Sequence, residues 1–133
     1  MEGTASSGRA SEVCAGASLF RFSTADYAPR DRLAAWQEVY GRTLCKQDIE
    51  PVETESIHAD AVFCKLPGLS TMTGHRSPAV YRRKREQVDS DNLFVTIGLA
   101  GEFEATQLGR TARMRPGDAL VGTGAEPIVA RVS

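Results

Sequence analysis

Leu93-Phe94-Val95-Thr96-Ile97-Gly98-Leu99 decides how this chain is read. In an extended strand, side chains alternate between two faces. Leu93, Val95, Ile97 and Leu99 therefore share one face, and Phe94, Thr96 and Gly98 share the other. Downstream, Ala100-Gly101-Glu102 reads as a turn, with Phe103 to Leu108 running back beside the first strand. Gly109 punctuates before Thr111-Ala112-Arg113-Met114. Arg115-Pro116-Gly117-Asp118 is a turn with a mechanism: proline presets φ, and glycine tolerates the positive φ that follows. Ala119-Leu120-Val121 starts another strand, Gly122 to Pro127 forms a loop, and Ile128 to Val132 is a last short strand.

Upstream, Asp89-Ser90-Asp91-Asn92 is a polar turn. Before it, Leu69 to Gly74 and Ala79 to Glu86 are strand candidates separated by Ser77-Pro78. Ile57 to Leu66 alternates in part and breaks at Pro67-Gly68, while Thr43 to Ile49 reads as a strand ending at Pro51. Leu19-Phe20-Arg21-Phe22-Ser23 is the first strand. One segment has the helical period instead. Leu33, Trp36 and Tyr40, with Val39 and Ala35 beside them, make a single apolar stripe. Pro29 and Asp26 or Asp31 suit the start of that helix, and Gly41 suits its stop. Trp36, the lone tryptophan, reads as a core anchor. Many short strands behind one front helix predict a mainly β chain, a sandwich or jelly-roll barrel.

The chain has 133 residues, enough for one domain with a real core. Hydrophobic residues at 41% and charged residues at 25% exclude a wholly disordered chain or a rod. Sixteen basic against seventeen acidic side chains leave a net charge of −1, without the basic surplus of a free-standing nucleic-acid binder. No apolar run is long enough to span a membrane, and the opening Met1-Glu2-Gly3-Thr4 lacks the basic start of a secretory signal. Residues 1–18, rich in Ser, Gly and Ala, are expected to form a flexible tail. Cys14, Cys45 and Cys64 have no paired spacing, which predicts reduced thiols, with Cys45 and Cys64 inert inside strands.

The inventory for catalysis is thin. His58 and His75 lack the spacing of metal ligands, and Glu102 and Glu104 have no histidine pair beside them. His75, beside Arg76, is expected at the surface of a turn-like region. No G-x-S-x-G elbow or phosphate-cradling motif occurs, and a hairpin turn accounts for Gly98-Leu99-Ala100-Gly101. No catalytic residue, metal or cofactor is therefore expected. Arg82-Arg83-Lys84-Arg85 is the conspicuous charge cluster. Its charges alternate between two faces, so the expectation is an edge strand guarded by charge, not a binding patch.

Three stretches resemble a known family: Phe22-Ser23-Thr24-Ala25-Asp26, then Pro29 to Val39 (PRDRLAAWQEV), then Asp48-Ile49-Glu50-Pro51. With Asp91 to Gly101, Gly109-Arg110-Thr111 and Arg115 to Leu120, they look like the cupin-like N-terminal domain of AraC-type transcriptional regulators. The resemblance covers residues 19–133 and implies a partial cupin-like jelly-roll barrel with one N-terminal amphipathic helix. It implies a cytoplasmic domain that senses a small-molecule effector and forms a homodimer, with DNA bound only through a C-terminal helix-turn-helix half. That half, and the end of the barrel, are expected to be missing after Val132-Ser133. Met72, Tyr81, Phe94, Thr96 and Phe103, as bulky or polar strand residues, are the candidates for an effector pocket. The alternative is a stand-alone cupin-type protein, either a small enzyme or a module that forms heterodimers with longer relatives.

Overall fold

The computed structural model describes residues 18–53 and 57–133. The tail expected over residues 1–18 lies outside the described residues, apart from Ser18, which opens the first strand. In chain order come β1 (Ser18–Ser23), α1 (Arg32–Thr43), β2 (Asp48–Pro51), β3 (Ala59–Leu66), β4 (Leu69–Arg76) and β5 (Ala79–Arg83). After these follow β6 (Leu93–Ile97), β7 (Phe103–Gln107), β8 (Arg110–Met114), β9 (Ala119–Thr123) and β10 (Ile128–Val132).

The last six strands fold as a nested ribbon. β7 pairs with β8, β6 with β9 and β5 with β10, all antiparallel, so the β7–β8 turn is the tip of one long doubled-back hairpin. The ribbon curls until β7 also pairs with β10. That is the jelly-roll wrapping. The result is a five-stranded sheet in the order β2-β5-β10-β7-β8, a two-stranded sheet β6-β9 and a three-stranded sheet β1-β3-β4. Hydrogen bonding does not close the three into one barrel.

Helix α1 presents the stripe its spacing predicts. Trp36 is fully buried, with Val39 and Thr43 beside it, and Leu33 and Tyr40 pack at its margin. Rings of Phe22, Tyr40 and Phe63 surround Trp36 at centroid distances of 5.5, 5.4 and 6.2 Å. Its indole Nε1–H donates to the Tyr81 hydroxyl at 2.8 Å, so the one polar atom of a buried ring is satisfied. Gln37 ties the helix to β2, its Oε1 accepting from the Ile49 N–H at 2.8 Å. The front of the molecule is thus anchored by ring packing and two side-chain hydrogen bonds.

Several expectations are corrected. Gly41 lies inside α1, which runs on to Thr43. The Tyr40 carbonyl ends it by accepting from both Leu44 and Cys45, at 2.8 and 3.2 Å. The strand expected over Thr43 to Ile49 is confined to Asp48–Pro51, so Cys45 sits in a loop, half-buried, while Cys64 is buried in β3. His75 lies on β4, not in a turn, and is exposed. The segment after β6 is not a hairpin. It crosses from the two-stranded to the five-stranded sheet, because Gly98 is held by the turn before β9: its N–H donates to the Asp118 carbonyl at 3.0 Å, and its carbonyl accepts from Gly117 at 2.9 Å.

The charge cluster is also relocated. β5 is an interior strand between β2 and β10, not an edge. Arg82 pairs with Glu50 at 3.7 Å, Lys84 with Asp48 at 3.0 Å and Arg85 with Glu126 at 3.0 Å. Arg83 points the other way and is 5% exposed. Arg82 and Arg83 alternate as expected, but β5 ends at Arg83, short of the expected Glu86, so Lys84 and Arg85 lie beyond the strand and Arg85 does not share the buried face of Arg83.

Candidate functional site

The inner face of the five-stranded sheet has a row of small side chains. Ala130 of β10 lies opposite Ala105 of β7, which lies opposite Ala112 of β8. Small groups in a row leave space where larger ones would interdigitate. Across that space, β6 and β9 offer Phe94, Leu120 and Gly122. Phe94 pairs with Gly122 in the ladder, and a Cβ at Gly122 would collide with the Phe94 ring. Glycine there lets the ring lie flat across the strand. Between the two sheets is a cavity of about 460 Å³, walled also by Ala105, Ala112 and Ile128. That is within the range of small-molecule sites, roughly 300–1,000 Å³.

The tip of the ribbon forms one end of the cavity. Gln107, Leu108 and Arg110 stand there, at the end of β7, in the turn and at the start of β8. Gln107 is fully committed: its Nε2 donates to the carbonyls of Thr123 and Glu126 at 2.8 and 3.2 Å, and its Oε1 accepts from the Thr123 N–H at 3.2 Å. Arg83 reaches the same two carbonyls through Nη2, at 3.3 and 3.4 Å, and its buried Nε has no partner. The Cys45 thiol lies beside Arg83. Burial pushes its pKa up, and Arg83 only partly offsets this.

Of the five residues expected to line a pocket, Phe94 is on this cavity. Thr96 is half-buried two pairs further along the β6–β9 ladder, opposite Leu120. Phe103 is half-buried against the core, between Val132 and Met114. Met72 packs on the core opposite Phe63. Tyr81 is 2% exposed, capped by Trp36 on its hydroxyl and by the Arg76 guanidinium 4.4 Å from its ring centroid. Burial raises the Tyr81 pKa. The sequence reading missed Arg110, Gln107 and the alanine row. Alanine carries no signal of its own until register aligns three of them.

Among the described residues, no group of three or more His, Cys, Asp or Glu could hold a metal ion, and no helix is long and apolar enough to cross a membrane. Nested pairing, one front helix and a cavity between facing sheets define a cupin-like jelly roll. The chain belongs to the AraC-binding-like domain family, whose model matches residues 36–133. Among solved structures, it is similar to the AraC-like transcriptional activator CuxR, with a TM-score of 0.73 and 15% identity over 87% of this chain. The chain spans 44% of that protein's length. No curated protein matches it.

Proposed function

We propose that this chain is the effector-sensing and dimerising part of an AraC-type transcriptional regulator, cytoplasmic and without catalytic activity. The cavity between the alanine row and Phe94 carries this reading, because it is an apolar chamber of small-molecule size in a domain of a regulatory family. Phe94 is the aromatic wall of the effector site in this reading. The outer face of β6 and β9 is the dimer surface, since it exposes Leu93, Val95, Ile97 and Val121 together. DNA contact is assigned to a separate helix-turn-helix domain of the regulator, because α1 spends its apolar face on the core.

A thermal screen of the full chain against a library of small metabolites tests the sensing role. A ligand present at a hundred times its Kd stabilises by about 2.7 kcal/mol, a rise in Tm of several degrees. Ala112→Leu fills the chamber from an exposed lining position, so it should fold normally and lose that rise. If every stabilising compound acts equally on Ala112→Leu, the cavity is not the effector site.

A further inference from the structure

We propose that the cavity takes a small molecule with an apolar body and one anionic group, with Arg110 at the mouth as its counter-charge. This rests on the cavity being the effector site and goes on to name the ligand's chemistry. The walls decide the body. Phe94, Leu120, Ala105, Ala112 and Ile128 offer no side-chain donor or acceptor, so a sugar or other polyhydroxylated ligand would leave its hydroxyls unpaired. Gln107, the one amide in the lining, has both its donor and acceptor functions taken by Thr123 and Glu126. An aromatic or branched aliphatic group fits such walls.

The end of the chamber decides the charge. One transverse row of the five-stranded sheet runs Arg83, Ile128, Gln107, Arg110: Arg83 lies opposite Ile128 and Gln107 opposite Arg110. Both cations lack a carboxylate partner among the described residues. Arg83, behind Ile128 and outside the lining, meets two main-chain carbonyls and the Cys45 thiol, and the Glu126 carboxylate beside it is taken by Arg85. The Arg110 side chain makes no hydrogen bond or ion pair among the described residues, whereas Arg113, three residues along β8, pairs with Glu104 at 3.3 Å. No Asp or Glu lines the cavity. An apolar chamber whose end carries the unpaired Arg110 guanidinium, with no acid in its lining, favours an anion there, and the planar fork of arginine suits a carboxylate, sulfonate or phosphate oxygen pair. Leu108 strengthens the case. It holds a left-handed φ of 55° while its side chain lines the mouth, a position where a polar turn residue would be less strained.

Two fluorescent probes with the same aromatic body test this on the full chain: 1-anilinonaphthalene-8-sulfonate, and N-phenyl-1-naphthylamine, which lacks the sulfonate. Arg110→Gln should weaken the sulfonate about tenfold and leave the neutral probe unchanged, and Arg110→Lys should restore part of the loss. Ala112→Leu should weaken both probes. If Arg110→Gln moves neither probe while Ala112→Leu weakens both, the chamber stands and the anion does not. If Ala112→Leu moves neither, the effector chamber falls with it. A sulfonate signal that survives Ala112→Leu and drops with Val95→Lys reports the outer sheet face, which also overturns the proposal. Arg110 is exposed, so unchanged Tm in both arginine variants is expected and separates lost binding from lost fold.

Discussion

Leu108 and Gly109 occupy the two central positions of the β7–β8 turn, with φ of 55° and 73°. Two consecutive positive φ values are what a tight hairpin with right-handed strand twist demands, and asparagine followed by glycine is the usual solution. Leucine departs from that rule. Leu108→Asn should therefore stabilise the chain by about 0.5–1 kcal/mol in urea unfolding, because asparagine tolerates the left-handed region better. The same variant removes an apolar side chain from the cavity mouth, so it should weaken ligands as it stabilises the fold. Single residues differ in how much they disclose. Trp36 was legible as a core anchor from its place on a helical stripe and its bulk, and it is fully buried. Arg83 was not legible, because nothing in a run of four basic residues marks which one turns inward beneath Ile128.

At the scale of elements, β5 shows where pattern reading works and where it stops. The strand and its alternation follow from the sequence, but its place between β2 and β10 depends on pairings with segments some thirty and fifty residues away. The long-range partners turn an apparent charge run into a set of cross-strand pairs. Asp48 of β2 is the clearest: it accepts from Lys84 at 3.0 Å and from the Gln87 amide at 3.1 Å. The hydrogen bond from Lys84, then that from Gln87, hold the Asp48 carboxyl below the usual carboxylate range. A depressed carboxylate contributes stability above its unfolded pKa of about 3.9 and loses it as pH falls through the lower folded value. Asp48→Asn should thus be less stable than the parent near neutral pH. The gap should close as urea midpoints are followed down from about pH 5 through the acid range. A gap constant with pH would mean that packing, not charge, accounts for the difference. Both groups are exposed, so the effect is small and should shrink further in high salt.

For the whole molecule, the strand that decides the fold also shows what alternation cannot say. It separates Leu93, Val95, Ile97 and Leu99 from Phe94 and Thr96, but it does not say which set faces the interior. In the jelly roll the aromatic face turns in, over Gly122 and the cavity, and the aliphatic face turns out. Leu93, Val95, Ile97 and Leu99 are 76, 62, 62 and 73% exposed, and Val121, paired with Val95, is 65% exposed. Together they bare roughly 500 Å² of apolar surface, at the upper end of what a monomer shows. Two copies packed through this face would cover about 1,000 Å², the lower bound of a stable interface. The face carries no charge to oppose its own copy, and the chain's net charge of −1 adds little repulsion. The full chain should therefore sediment as a dimer at micromolar concentration. Val95→Lys, placed at the centre of the face and pointing to solvent, should give a monomer whose secondary structure is unchanged. A parent chain that stays monomeric up to about 100 μM would assign the face to another partner. A Val95→Lys variant that stays dimeric would move the interface elsewhere.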